Sequence, residues 1–159
     1  MQISALYNIY IQNPSITTDS RSIAEGIMYF ALKGDKFDGN AFAKEALNKG
    51  AAYAIIDNPI YKTDDRMILV DDVLTTLQAL ANYHRKQLEI PFLAITGTNG
   101  KTTTKELTKA VLSKKFNVLA TEGNLNNHIG VPLTILSIKP QHNFAIIEMG
   151  ANHPLEIQT

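Results

Sequence analysis

Three short apolar runs in the second half of the chain, FLAIT (92–96), FNVLAT (116–121) and FAIIEMG (144–150), limit the fold more than any other feature. Each is apolar at consecutive positions, the pattern of a strand covered on both faces, and segments of helical pattern separate them (102–113 and 131–138). That alternation implies an α/β domain with a parallel sheet and helices packed on it. In an open sheet of this kind, ligands bind beyond the carboxyl ends of the strands. Those ends carry Gly97, Thr121 and Glu148, so polar groups from three distant segments are expected to meet along one edge.

The first half reads as a smaller α/β unit. Ile3, Leu6, Tyr7 and Tyr10 recur at helical spacing, IMYFAL (27–32), AAYAIID (51–57) and MILV (67–70) read as strands, and KGDKFDG (33–39) reads as a loop. Asn40 is placed to cap a helix over 41–49 that Gly50 would stop, and Asp71 or Asp72 to cap a long helix over 73–88. Pro91 cannot continue that helix, which sets the expected domain boundary between residues 1–89 and 90–159.

Composition excludes several classes. Fifteen basic and fifteen acidic residues cancel, so no overall field favours nucleic acid or an anionic membrane. The absence of cysteine rules out disulfides, thiolate metal sites and cysteine nucleophiles. The amino terminus lacks the pattern of a leader, and no apolar run approaches the ~18 residues of a membrane span, so the expected location is cytoplasmic with no membrane insertion.

The stretch ITGTNGKTTTKEL (95–107) lies between the first of the three strands and the helix that follows. Gly97 and Gly100 permit a tight turn that aims backbone N–H groups at phosphate, and the helix start adds its positive end. Lys101 can neutralise terminal phosphates, and the Thr102 hydroxyl is placed to join a magnesium shell. Glu148 supplies an acceptor-only carboxylate where a second magnesium ligand is required. The spacing departs from the common phosphate loop, which would carry glycine where this chain has Ile95. A plain strand-to-helix turn, with Thr102 or Thr103 as a cap, is the competing reading of the loop.

Polar clusters elsewhere are less specific. Asn124, Asn126, Asn127 and His128 crowd the loop 122–130, where amides could recognise a polar substrate or phosphate, or could serve a turn. Asp19, Ser20 and Arg21 form a second polar group, again a turn or a ligand site. His84 and His142 read as surface residues, and nothing tests His153.

Taken with TDSR, FALKGDKFDGNAF, TEGNLNNHIGVPLTIL and IIEMGANHPLEI, the loop makes the chain similar to the amino-terminal part of the Mur ligases over nearly its whole length. The pair GNLNNHIGVPLT and EMGAN most resembles the branch that adds D-alanyl-D-alanine to UDP-N-acetylmuramoyl-tripeptide, and G-T-N-G-K-T-T is that family's own form of the phosphate motif. The resemblance implies a small α/β UDP-binding domain followed by the first half of a phosphate-loop ATPase domain, with ATP and Mg2+ as cofactors. ATP would phosphorylate the tripeptide carboxylate, and the dipeptide amine would then attack the acyl phosphate. Lys101 and Glu148 would be catalytic, Gly97, Thr98, Asn99, Gly100, Lys101, Thr102 and Thr103 would cradle ATP, and Thr102 and Glu148 would hold the metal. Asp19, Ser20, Arg21, Lys33, Gly34, Asp38 and Gly39 would face the UDP-sugar, joined by Asn126 and Asn127 near the γ-phosphate. One departure is Asn40, where relatives often carry histidine.

By the same resemblance, the rest of the central domain and a third domain are expected beyond Thr159, so the 159 residues alone are expected to be inactive in ligation. A stand-alone nucleotide-binding module, or another amide ligase of the same family, are the alternatives.

Overall fold

The computed structural model describes residues 1–150; the helix start expected near Asn152, the end of the EMGAN motif and His153 lie outside them. The chain divides into two compact units, Met1–Tyr83 and one beginning at His84, the division falling inside helix α3 (Val73–Gln87).

The first unit opens with α1 (Ile3–Gln12), which buries Leu6 and Tyr10 from one face. Four strands follow in a parallel sheet: β1 (Ile16–Thr17), β2 (Met28–Phe30), β5 (Tyr53–Ile56) and β6 (Met67–Leu69), in the order β1-β2-β5-β6. The two central strands hold the register Met28 to Tyr53 and Phe30 to Ile55 and supply much of the core. Phe30, Ile55 and Ile56 have no exposed surface, and each such side chain contributes about 1.5–3 kcal/mol of burial. β1 was hidden in the polar stretch SITTDSR because a two-residue edge strand leaves no periodic signature.

The loop 33–39 is a tight antiparallel hairpin of β3 (Lys33–Gly34) and β4 (Phe37–Asp38). A 3-10 turn (Gly39–Phe42) then leads into α2 (Ala43–Asn48). The expected helix cap at Asn40 is therefore corrected. Asp38 caps the turn, its Oδ1 accepting from Asn40 N at 2.9 Å, and the Asn40 side chain is buried. The physical reason is the 3-10 turn, which delays the helix to Ala43 and turns the asparagine inward. For α3, Asp72 is the cap, accepting from Thr75 N at 2.7 Å.

The second unit contains β7 (Phe92–Ile95), α4 (Lys101–Leu112), β8 (Val118–Ala120), α5 (Gly130–Leu136) and β9 (Phe144–Glu148). All three strands are parallel, in the order β7-β9-β8. β9, last in sequence, is central, and Ala145 and Ile146 are fully buried. β7 is less buried than its continuous apolar sequence suggested: Leu93 and Ala94 are exposed, because β7 is an edge strand among the described residues. His84 is also corrected. It is 7% exposed rather than a surface residue, and burial pushes its pKa down despite a hydrogen bond with the Ile138 backbone.

Candidate functional site

The carboxyl ends of β7, β8 and β9 meet. Ile95 is in register with Glu148, and Met149 N donates to Ile95 O at 2.8 Å. On the other side, Thr121 N donates to Ile146 O at 3.0 Å, and Glu148 N donates to Thr121 Oγ1 at 2.9 Å. Glu148 thus stands on the middle strand between the phosphate-loop candidate and the loop after β8.

Gly97 and Gly100 adopt φ values of 143° and 75°, which side chains with a Cβ rarely take, so the turn requires glycine at both. Gly100 is the residue before α4 and offers no side-chain cap. The first N–H groups of this twelve-residue helix consequently lack the usual capping oxygen, the arrangement that suits an anion. Thr98, Asn99 and Thr103 are exposed around it. Lys101 Nζ folds back to donate to Gly97 O at 2.6 Å, an exposed contact within its own turn.

Thr102 Oγ1 donates to Glu148 Oε1 at 3.3 Å, and Asn126 Nδ2 donates to the same oxygen at 2.8 Å. The Asn126 main chain is also held, its carbonyl accepting from Gly150 N at 2.7 Å. Asn127 does different work: its Oδ1 accepts from Ile129 N at 3.1 Å and Gly130 N at 2.8 Å, capping the start of α5. A Cβ on Gly130 would run into the Leu125 backbone, so glycine there lets the loop fold tightly enough to bring Asn126 to Glu148.

The candidate residues of the first unit form two groups. Arg21 Nε donates to Asp19 Oδ1 at 2.9 Å and Nη2 to Oδ2 at 2.8 Å, while the Arg21 side chain stays 88% exposed. This pairing holds the Asp19 carboxyl down to about 2. Ser20 accepts through its carbonyl from Lys49 Nζ at 3.4 Å. The second group centres on Asp57 and Asn40, neither singled out by sequence as an anchor for the hairpin. Lys33 Nζ lies 2.7 Å from Asp57 Oδ1. Asn40 Nδ2 donates to Asp38 Oδ1 at 2.6 Å and Asp57 Oδ1 at 2.9 Å, and its Oδ1 accepts from Asp57 N at 3.0 Å.

Tyr29 links the two groups. Its hydroxyl donates to Gly39 O at 3.1 Å, and its pKa is pushed up to about 12 by burial and then by the charges of Asp19 and Asp38. A tyrosine in an apolar run looks like core in sequence, and that context masks its polar end. Gly34 lies at the hairpin, where a Cβ would clash with the Phe37 ring.

The second unit is that of an α/β protein with a glycine-bearing strand-to-helix turn at the edge of a parallel sheet, an arrangement that suits a phosphate. Residues 14–85 match the Mur ligase family, catalytic domain, and residues 95–159 match the Mur ligase middle domain; the chain belongs to the Mur ligase family. It is 42% identical over 143 residues to the UDP-N-acetylmuramoyl-tripeptide–D-alanyl-D-alanine ligase of Escherichia coli, covering 90% of this chain and 31% of the relative. The enzyme of the same name from Bacillus subtilis is 40% identical over 144 residues, covering 89% of this chain and 32% of the relative. Among solved structures, MurF from Acinetobacter baumannii superposes with a TM-score of 0.82 at 39% identity, over 90% of this chain and 32% of that one. MurF ligase from Thermotoga maritima in complex with ADP gives 0.83 at 34% identity, over 91% of this chain and 34% of that one. The chain therefore spans about a third of the length of these relatives.

Magnesium, which the family implies, fits the residues present. Glu148 Oε2 is buried and accepts no hydrogen bond, and Oε1 already faces a hydroxyl. These are hard oxygen donors, as magnesium prefers. Among the described residues no group of three or more His, Cys, Asp or Glu could hold a metal by itself. No described helix is long and apolar enough to cross a membrane.

Proposed function

We propose that this chain carries the uridine-nucleotide and ATP-phosphate parts of a cytoplasmic ligase that joins D-alanyl-D-alanine to UDP-N-acetylmuramoyl-tripeptide. Residues 1–89 serve the UDP-sugar and residues 90–159 begin the ATP-binding domain. The observation that carries this reading is the meeting of Thr102, at the start of α4, with Glu148, at the end of the central strand, 46 residues away. It occurs in a chain similar to ligases of that name along both of its units.

In this reading the turn from Gly97 to Gly100 presents backbone N–H groups to the ATP phosphates. Lys101 leaves its contact with Gly97 O to meet the charge on the transferring phosphoryl group, and Thr98, Asn99 and Thr103 line the same turn. Thr102 and Glu148 would hold magnesium, which when bound would neutralise phosphate charge. The tripeptide carboxylate attacks the γ-phosphorus and ADP leaves; the dipeptide amine then attacks the acyl carbon and phosphate leaves. The protein's share of this chemistry is positioning and electrostatic stabilisation.

In the first unit, Arg21, braced by Asp19, and Lys33, braced by Asp57, are the cations available to the diphosphate of the UDP-sugar. Ser20, Gly34, Asp38 and Gly39 shape the same surface beside Tyr29. Asn126 stays with Glu148 near the γ-phosphate, and Asn127 acts through the cap it places on α5.

Calorimetric titration of the folded chain with ADP plus magnesium, and separately with UDP-N-acetylmuramoyl-tripeptide, tests this. Binding of both is expected. Binding of ADP without the UDP-sugar peptide would point instead to a nucleotide-binding module, and binding of neither would end the reading.

A further inference from the structure

Behind Glu148 lies a lysine that the nucleotide reading leaves unused. Lys105 is one turn beyond Lys101 on α4 but points inward, with a side chain 1% exposed. Lysine is almost never this deeply buried unless its charge is met. Its ammonium donates to Thr121 O at 2.6 Å, lies 3.0 Å from Glu106 Oε1, and lies 3.9 Å from Glu148 Oε2.

The two oxygens of Glu148 therefore have different surroundings. Oε1 receives the Thr102 hydroxyl and the Asn126 amide, whereas Oε2 accepts no hydrogen bond and has a fixed cation nearby. Lys105 is itself anchored independently of the carboxylate. Thr121, whose carbonyl it grips, is tied to β9 through its own N–H and hydroxyl. The ammonium is thus a fixed charge built into the back of the site, attached to α4 by its own chain and to β8 by its hydrogen bond.

Resting on the nucleotide-site reading, we propose that Lys105 is a positioning residue for the metal carboxylate. Its charge draws Oε2 and keeps Oε1 turned toward Thr102, so the gain that magnesium brings to nucleotide binding depends on a lysine that touches neither metal nor nucleotide. A purely structural lysine, holding only Thr121 and Glu106, would affect nucleotide binding with and without metal alike.

The experiment is calorimetric titration of ADP into the chain, with magnesium and with chelator, for the wild type, K105M, K105R, E148Q and K105M/E148Q. K105M is expected to reduce the magnesium-dependent gain in ADP affinity by about tenfold or more, the range for residues that orient a metal ligand. Affinity without magnesium should stay within about twofold, K105R should restore part of the gain, and K105M should add nothing further in the E148Q background. Equal losses with and without magnesium, or an undiminished effect of K105M in E148Q, would overturn the proposal. If K105M does not fold, the double variant decides. Removing both charges together should restore folding if they are partners, and its failure to fold would assign Lys105 to Thr121 and Glu106 alone. A wild type that binds ADP but shows no magnesium gain overturns the inference while leaving the nucleotide reading intact. A wild type that binds no ADP removes both.

Discussion

The side-chain amide of Asn126 donates to Oε1 of Glu148 at 2.8 Å, joining the loop after β8 to the end of the central strand. Glu148 is 1% exposed, so this bond meets a charge that water does not reach. Replacing Asn126 with alanine removes a hydrogen bond to a buried carboxylate. Urea denaturation should show a loss of about 1.5–3 kcal/mol, the range for bonds to charged groups. A change below about 0.5 kcal/mol would mean that Glu148 finds another donor at no cost.

Lys101 should behave in the opposite way. Its ammonium rests on an exposed carbonyl of its own turn, so K101A should leave the thermal midpoint unchanged. Affinity for a non-hydrolysable ATP analogue should nevertheless fall by about tenfold or more, because the lost contact to the terminal phosphate is charge-assisted. Unchanged affinity in calorimetry would remove Lys101 from the phosphate site.

In the first unit, Asn40 is the residue whose loss should be felt most. Its amide serves Asp38, Asp57 and the backbone N–H groups of Asp57 and Asn58 from a position 1% exposed. N40A should destabilise by about 2–4 kcal/mol, since several polar groups lose their partner together. N40D should be at least as damaging, because it places a third carboxylate beside two others. Chemical denaturation of both variants checks the order.

Acid should weaken the protein in two windows. Burial holds the His84 pKa below its usual 6.5, so the unfolded chain takes up a proton before the folded one does. Stability from this residue is full above 6.5 and declines as pH falls below it. Asp57 is also depressed: burial alone would raise its pKa, but Lys33, Asn40 and the Val73 N–H together outweigh it. Its contribution is present above the usual 3.8 and lost as pH falls through the lower folded value. Denaturation midpoints followed from pH 7 to pH 2 should fall in both ranges, with H84F flattening the first and D57N the second.

Much of the candidate site was legible because it depends on local chemistry. A glycine-bearing turn between an apolar run and a helical pattern marks itself, and Gly97, Gly100, Lys101 and Thr102 fall where such a turn needs them. Glu148 was legible for a related reason: parallel strands end on one edge, so a polar residue ending an apolar run is directed there. The hairpin of β3 and β4 and the two-residue strand β1 were not, since elements so short have no period to detect.

The sequence by itself determined the class of the second unit, the position of the phosphate-loop candidate and the identity of the residues brought to the strand ends. Backbone conformation and side-chain periodicity are set by neighbours along the chain, and these are visible in one dimension. Only the tertiary structure decided which side chains serve one another. It placed β9 in the centre, gave Glu148 to Thr102 and Asn126, turned Lys105 inward behind it, and made Asn40 a buried anchor rather than a helix cap. Those outcomes depend on which distant groups can satisfy a buried charge or amide, a requirement that appears only once packing has excluded water.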